Sequence, residues 1–187
     1  FIVENRPGAS NIIATEVVAK AAPDGYTLLM APTGTFVTNP LIFAKLSYSD
    51  SDFAPISNIA NAAFILSVHP SVPAQSLADL VALAKKRPGE LSYASFGRGS
   101  STNLAGELFQ YMTGIKLLHV PYKGGAPGMA DLLAGQIVMT FDSAQASMGN
   151  IQAKKIRPLG VTSLKRLAVL PDVPTFTENG LTGVVMT

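Results

Sequence analysis

Tyr93-Ala94-Ser95-Phe96-Gly97-Arg98-Gly99-Ser100-Ser101-Thr102-Asn103 is the stretch of the chain that decides its fold. It begins with the alternating pattern of a strand, turns through two glycines and ends in hydroxyl and amide side chains at the start of a helix. Helical spacing then continues through Leu104, Ala105, Leu108, Phe109 and Met112. The first N–H groups of a helix lack partners within it, and the helix dipole is positive at that end. The stretch therefore predicts a site for an anion, to which Arg98 adds a full positive charge.

The same residues allow a second interpretation. Serine and asparagine before a helix are ordinary N-caps, and most such caps bind no ligand. Dinucleotide or nucleoside triphosphate binding is disfavoured, because Thr102 replaces the last glycine of the G-x-G-x-x-G pattern and no G-K-[S/T] ending follows. Capping alone and anion binding both stay open at this point.

The composition of the 187 residues excludes several kinds of site. Apolar residues make up 48% and the mean hydropathy is +0.31, which favours a folded domain with a sizeable core. Charged residues make up only 14% and the net charge is +2, which argues against a nucleic-acid partner. The absence of cysteine excludes disulfides and thiolate metal sites, and two isolated histidines make no metal signature. No apolar run approaches the ~20 residues of a membrane span.

Strands alternate with helices along the chain, which predicts the α/β class with a mainly parallel sheet. The predicted strands cover residues 1–3, 26–31, 53–57, 63–68, 91–95, 117–120, 137–141 and 156–162. Helices are predicted over 11–21, 76–87, 101–111, a segment ending at Gly135, a segment ending near Lys154, and 163–170, with one further turn at 175–179. The nearly continuous apolar run at 26–31 is typical of a strand buried on both faces of a parallel sheet.

Four predicted strand ends carry small, polar, glycine-bearing or acidic loops. These loops lie at residues 33–35, 97–102, 122–125 and 142–143. The opposite strand ends carry plain stops such as Pro88-Gly89. Because ligands of open parallel sheets bind outside the carboxyl ends of the strands, we expect the four loops to face one cleft.

A catalytic site finds little support in the sequence. Ser100, His119 and Asp142 form a conceivable triad, but no G-x-S-x-G elbow surrounds any serine. His119 lies inside an apolar strand, where a histidine with satisfied hydrogen bonds is the favoured interpretation. Asp142 either caps the following helix or accepts a hydrogen bond from a ligand's amine or hydroxyl. Tyr122 and Lys123 either border the cleft or form a surface turn, and both pairs of alternatives stay open.

Three segments together resemble one family. They are Val3-Glu4-Asn5-Arg6-Pro7-Gly8-Ala9, Ala22-Pro23-Asp24-Gly25-Tyr26-Thr27-Leu28-Leu29 and His119-Val120-Pro121-Tyr122-Lys123-Gly124, supported by Leu170-Pro171-Asp172-Val173-Pro174-Thr175. Over essentially its whole length the chain resembles the extracytoplasmic solute receptors of tripartite tricarboxylate transporters, also called Bug receptors. The resemblance implies a type II periplasmic-binding-protein fold, in which two α/β domains close on a small mono- or dicarboxylate. It also implies a periplasmic receptor with no cofactor, which is not an enzyme and delivers its solute to membrane transporter subunits.

The resemblance also points to site residues. The loop at 33–35 corresponds to the contact loop of the first domain, the segment 99–103 to the helix start of the second domain, and Asp142 to a strand-end acid. Together with Tyr122, the predicted ligand-binding residues are Thr33, Gly34, Thr35, Gly99, Ser100, Ser101, Thr102, Asn103, Tyr122 and Asp142. No catalytic residue or metal ligand is predicted, and a small-molecule α/β enzyme, a hydrolase or transferase, is the alternative function.

The resemblance also predicts how the chain is divided into two domains. Crossovers near Ala63 and Gly160 would make residues 64–159 the second domain, and residues 1–63 and 160–187 a partial first domain. Against the family pattern the chain looks cut at both ends, without an opening strand and glycine-rich loop and without closing helices. We therefore expect exposed apolar surface on the partial domain, and weak or absent ligand binding by these residues alone.

Overall fold

A computed structural model describes residues 2–186, and its centre is one five-stranded sheet. The strands are β1 (Phe64–Val68), β2 (Ser92–Ser95), β3 (Leu118–Pro121), β4 (Met139–Ser143) and β5 (Arg157–Val161), in the spatial order β3-β2-β4-β1-β5. β2 is parallel to both β3 and β4, whereas β1 is antiparallel to β4 and to β5. Four strands therefore point the same way and one opposes them. The α/β class is confirmed, and the sheet is mixed because β1, which lies between β4 and β5, runs antiparallel to the other four strands.

Seven α-helices lie within the described residues. They are α1 (Ile12–Ala19), α2 (Gly34–Val37), α3 (Asn39–Ile42), α4 (Leu77–Lys86), α5 (Ser101–Thr113), α6 (Gly125–Leu133) and α7 (Ala144–Gln152). Ser76 caps the N-terminus of α4, because its Oγ accepts a hydrogen bond from Asp79 N–H at 3.1 Å. α5 ends at Gly114, whose φ of 67° is the left-handed conformation of a helix stop. None of the helices in this part of the chain has the length and apolar character needed to cross a membrane.

The helices flank the sheet on both faces. On one face α4 and α5 cover an apolar core that includes Leu66, Tyr93 and Phe141, where Phe141 packs against Phe109 and Phe176 with ring centroids 6.3 and 6.1 Å apart. α5 lies directly on β2, because a Cβ atom at Gly106 would come within 2.3 Å of the Tyr93 ring. On the other face a smaller cluster joins Ile65, Val161 and Val173 to the side of α7. This packing fixes where α5 begins relative to the end of β2.

Residues 2–63 differ from the prediction. The segments 26–31 and 53–57, predicted as strands, are irregular, as are residues 2 and 3, while Phe1 lies outside the described residues. A strand needs a neighbouring strand to pair its N–H and C=O groups, and no strand lies in residues 2–63. The expected exposed apolar surface is present there: Ile2 98%, Tyr26 92%, Leu41 83%, Ile56 80% and Met30 77% exposed.

The predicted helix at 163–170 is also wrong, because the segment forms a series of turns. Arg166 explains part of the difference, since its guanidinium donates to the Glu178 carboxylate at 3.0 Å and to the Pro171 carbonyl at 3.0 Å. These bonds draw the segment toward the short 3-10 helix at Thr177–Asn179, where the sequence predicts one further turn.

Candidate functional site

The carboxyl ends of β2, β3 and β4 meet at one edge of the sheet, because these three strands are parallel. β2 leads into the 97–99 turn (Gly97, Arg98 and Gly99) and then α5, β3 leads into Tyr122 and α6, and β4 ends at Asp142 and Ser143 before α7. Three of the four loops that the sequence singled out therefore share this edge.

Short distances join all four loops into one continuous surface. A Cβ atom at Gly34 would lie 3.6 Å from Ser101 Oγ, and one at Gly97 would lie 3.8 Å from the Tyr122 carbonyl oxygen. A Cβ atom at Gly125 would lie 3.3 Å from Asp142 Oδ2. The residues that the sequence analysis predicted at the cleft therefore lie close together. Some of the contacts between them involve backbone atoms, such as the Tyr122 carbonyl, rather than side chains.

The first of these loops is built differently from the prediction. Thr33, Gly34 and Thr35 do not follow a strand; they open the four-residue helix α2 after an irregular segment. Gly34 and Thr35 are buried, whereas Thr33 is exposed. The Thr35 carbonyl accepts a hydrogen bond from the hydroxyl of the buried Tyr48, which fixes the loop from behind.

The start of α5 is held by its own polar side chains. Ser100 Oγ accepts from Asn103 N–H as the helix cap and donates to the Gly97 carbonyl at 2.7 Å. Thr102 Oγ1 accepts from Phe96 N–H at 2.9 Å. The Asn103 amide accepts from Gly99 N–H and donates to the Tyr93 hydroxyl, both at 2.8 Å. Ser100 is therefore a helix cap, as the second interpretation of this stretch predicts. The side chains of Ser100, Thr102 and Asn103 all hold the turn in place through hydrogen bonds.

Ser101 is the exception in this segment. Its hydroxyl makes no hydrogen bond to any described residue, it is only half-buried, and it faces Gly34. The backbone N–H groups of Ser101 and Thr102 lie in the first turn of a thirteen-residue helix, where no earlier carbonyl can reach them. Ser101 therefore keeps a hydroxyl and an N–H group available to an anion, whereas Thr102 is fully buried.

A cavity of about 400 Å³ adjoins this edge and contains one buried acid. It is lined by Phe96, Gly125, Ala126, Met129, Asp142 and Ala146. Asp142 is only 4% exposed, and burial raises the pKa of its carboxyl, although the hydrogen bond from Ser143 N–H opposes this shift. Ser143, not Asp142, caps α7 by accepting from Ala146 N–H, so Asp142 keeps one oxygen toward the cavity. The cavity is thus apolar with a single carboxyl group.

Tyr122 borders the site mainly with its backbone. Its ring packs on Gly128, and its hydroxyl donates to Asp131 Oδ2 at 2.6 Å. Burial and the Asp131 carboxylate together raise the pKa of the Tyr122 hydroxyl to about 12. The Tyr122 side chain is therefore engaged with α6, and the neighbouring Lys123 is exposed on a surface turn.

The hypothetical triad does not assemble. His119 Nε2 shares a hydrogen bond of 2.6 Å with Ser95 Oγ, and its ring stacks on Tyr93 at a centroid distance of 4.9 Å. Burial lowers the pKa of the His119 imidazole. The Ser100 hydroxyl bonds within its own turn and Asp142 bonds to Ser143. The interpretation of His119 as a strand histidine with satisfied hydrogen bonds is confirmed.

Three residues at the site were not predicted from the sequence. Ser10 donates from Oγ to the Arg98 carbonyl, and the buried Asn39 and Tyr48 connect Ser10 to the loop at Thr35. Pro7-Gly8 indicates a turn near Ser10, but nothing local in the sequence indicates that this turn contacts residues 97–99. The only signal for Asn39 is an amide in an otherwise apolar segment.

Comparisons with known proteins agree on one family. The model of the tripartite tricarboxylate transporter family receptor, TctC, matches residues 1–187. A UPF0065 protein from the tcbD-tcbE intergenic region of Pseudomonas sp. strain P51 is 41% identical over 178 residues, which cover 95% of this chain and 53% of that protein. Protein BugT of Bordetella pertussis is 35% identical over 181 residues, covering 96% of this chain and 56% of BugT.

Solved structures give the same result. Rpa4515 of R. palustris, solved with adipate, superposes with a TM-score of 0.95 at 41% identity and covers all of this chain. The periplasmic binding protein BugD superposes with a TM-score of 0.92 at 35% identity over 99% of this chain. MatC of Rhodopseudomonas palustris, solved with bound malate, superposes with a TM-score of 0.89 at 28% identity over 96% of this chain.

This chain spans about half the length of the curated relatives that it matches, and 61–62% of the three solved chains. The match nevertheless runs through the whole of its own sequence, and the fold superposes on that of Rpa4515 over the whole chain. The chain therefore belongs to the tripartite tricarboxylate transporter receptor family.

Proposed function

We propose that the protein is an extracytoplasmic receptor that captures a small mono- or dicarboxylate and delivers it to the membrane subunits of a tripartite tricarboxylate-type transporter. One observation carries the proposal: Ser101, whose hydroxyl faces Gly34, begins α5 at the same sheet edge as an apolar cavity with a buried acid. A ligand with a carboxylate at one end and an apolar body fits this arrangement.

The carboxylate would bind at the first turn of α5. The N–H group and the hydroxyl of Ser101 would donate to it, and the helix dipole would add to the attraction. Thr33, Gly34 and Thr35 would form the opposite wall. The other polar residues here would contribute by shaping the turn, because their groups already bond within it or to β2: Gly99, Ser100, Thr102 and Asn103.

Asp142 would meet the other end of the ligand. An ionised Asp142 accepts a hydrogen bond from a hydroxyl or an amine, whereas a protonated Asp142 donates to a second carboxylate. Because burial raises the pKa of Asp142, protonation is easier here than for a carboxyl in water. Both dicarboxylates and hydroxy acids are consistent with this group, and the related structures named above were solved with adipate and with malate.

The division of the chain at Ala63 and Gly160 fits this function. In that division, residues 1–63 supply the wall with Gly34 and residues 64–159 supply α5 and Asp142, while Phe176 and Val184 of the segment 160–187 pack against the core on the central sheet. A ligand that contacts both parts favours their approach, so binding would drive closure. A periplasmic location and the absence of catalysis are part of the proposal, supported by the family's binding proteins and by a His119 that bonds to Ser95 rather than to Ser100 or Asp142.

Thermal-shift screening of the full-length protein against C3–C9 mono- and dicarboxylates tests this function. A ligand that binds only the folded state increases the free energy of unfolding by RT ln(1 + [L]/Kd), and the melting temperature therefore rises. We expect at least one acid to raise it in a concentration-dependent way and to be recovered unchanged after incubation. A panel without any effect, or conversion of the bound acid to a product, would contradict the proposal, and conversion would favour the enzyme alternative.

A further inference from the structure

The segment before α1 has an unusual backbone. Gly8, Ala9, Ser10 and Asn11 have consecutive positive φ angles of 120°, 47°, 51° and 73°. Left-handed backbone is unfavourable for residues that carry a Cβ atom, and such strain persists only where surrounding contacts hold it. The contacts that hold this segment therefore indicate what it does.

Those contacts lead to the 97–99 turn. Ser10 Oγ donates a hydrogen bond to the Arg98 carbonyl, 88 residues away in the chain. A Cβ atom at Gly97 would lie 3.4 Å from Ser10 Oγ and 3.9 Å from Ser10 N, so the two backbones are in close contact. The 97–99 turn is the element that leads into α5 and its free N–H groups.

A buried pair of side chains fixes Ser10 from the other side. Asn39 Nδ2 donates to the Ser10 carbonyl and to the Tyr48 hydroxyl, each at 3.1 Å, and the Tyr48 hydroxyl donates to the Thr35 carbonyl at 2.5 Å. Asn39 is 1% and Tyr48 7% exposed, and Phe53 packs edge-on against the Tyr48 ring. One hydrogen-bond chain thus runs from Thr35 through Tyr48 and Asn39 to Ser10 and on to Arg98.

We propose that Ser10 is a positioning residue of the carboxylate site, whose hydroxyl ties the 97–99 turn to residues 8–48 and so slows release of the ligand. The inference rests on the proposed function for its effect on the ligand, but not for its effect on the turn. In the division at Ala63, Ser10 and Arg98 belong to different domains. Opening the cleft then breaks the Ser10 bond, so the hydroxyl opposes opening both with and without ligand.

Three variants of the full-length protein separate the hydroxyl from the backbone. Ser10→Ala removes the hydroxyl. Ser10→Gly removes the hydroxyl and also relieves the left-handed backbone strain at position 10. Ala9→Gly relieves the strain at position 9 and keeps the Ser10 hydroxyl. Amide hydrogen exchange in ligand-free protein reports the 97–99 turn directly. Stopped-flow measurements with adipate and with malate report the association and dissociation rates.

We expect Ser10→Ala and Ser10→Gly to speed exchange at Gly99 and Ser100 by roughly 2- to 12-fold, the range for losing one ordinary hydrogen bond. Exchange in β1 and β4 and the melting temperature should change little, which distinguishes a local role from general destabilisation. Where an acid binds, its dissociation should accelerate by a similar factor with an unchanged association rate. Ala9→Gly should leave all of these quantities near their original values.

Two results would overturn the inference. Unchanged exchange at Gly99 and Ser100 in both Ser10 variants would show that the hydroxyl does not hold the turn. Equal acceleration in Ala9→Gly would assign the effect to the backbone of the loop. Binding of neither acid would count against the proposed function for these ligands, while the exchange measurement would still decide the role of Ser10.

Discussion

Residues 26–30 and β1 are five-residue segments of similar apolar character in two regions of the molecule. In β1, Ile65, Leu66 and Val68 are fully buried, and the strand pairs with neighbours on both sides. In residues 26–30, Tyr26 is 92% and Met30 77% exposed, and the backbone is irregular. An apolar run thus favours a strand only where another strand can pair with its backbone, and the region 64–161 provides those partners within the described residues while 2–63 does not.

The largest expected difference between the two regions concerns apolar side chains. Phe141→Ala should lower the free energy of unfolding by about 3–5 kcal/mol, because it leaves a cavity between Phe109 and Phe176. Tyr26→Ala should change the free energy of unfolding by less than about 0.5 kcal/mol, because the exposed Tyr26 side chain buries little surface. Urea unfolding followed by circular dichroism measures both. A comparable loss in Tyr26→Ala would mean that residues 26–30 pack against something in solution.

A smaller effect is expected from the buried amide that shapes the start of α5. Asn103→Ala should cost about 1–3 kcal/mol, because Gly99 N–H and the Tyr93 hydroxyl both lose a partner inside the protein. Asn58→Ala is the matched control in residues 2–63, since Asn58 is exposed and bonds only to Asn61 and Ser57. Equal stability of the two variants by urea unfolding would remove Asn103 from the support of the turn.

Helix caps give a third and weaker contrast. Ser100→Ala should destabilise the protein by about 1 kcal/mol, because its hydroxyl caps Asn103 N–H at the start of α5. Thr33 occupies the same position before α2 but makes no side-chain capping bond, so Thr33→Ala should be nearly neutral for stability. Melting temperatures measured side by side check this pair, and a larger shift for Thr33→Ala would contradict the assignment of the caps.

The smallest effect concerns the buried acid. Burial raises the pKa of Asp142, so this group favours the folded state in acid and loses that contribution as the pH rises from its ordinary value of 3.8 through the folded value. Because asparagine does not ionise, the free energy of unfolding of Asp142→Asn should increase relative to that of the unsubstituted protein as the pH rises through this range. The exposed Asp24→Asn should stay within about 0.5 kcal/mol. A stability difference for Asp142→Asn that does not grow with pH would contradict a buried, unpaired carboxyl.

Local signals in the sequence were sufficient for the region around the sheet. The strands near 64–68, 92–95 and 139–143 and the capped helices α4 and α5 follow from alternation, helical spacing and Ser or Gly at the helix ends. The same signals located the loops that meet at the sheet edge, because parallel strands end on one side. These features depend on residues close together in the chain.

Features that depend on distant partners were not predictable. The direction of β1 follows from its two neighbours, and the loss of the strand at 26–31 follows from having none. Ser10, Asn39 and Tyr48 reach the site through hydrogen bonds to residues that the sequence does not connect with them. The sequence also could not distinguish Ser100 and Asn103, which bond within the turn, from Ser101, which does not.

Calorimetric titration of the full-length protein with its best-binding acid tests the role of the α5 start most directly. Compared with the unsubstituted protein, Ser101→Ala should weaken binding by about 1–3 kcal/mol, roughly 5- to 150-fold in Kd, because one charge-assisted donor is lost. Ser57→Ala, a substitution at an exposed serine of the irregular segment, should leave Kd unchanged. Equal affinity of the Ser101→Ala and unsubstituted proteins would mean that the carboxylate binds elsewhere than at the first turn of α5.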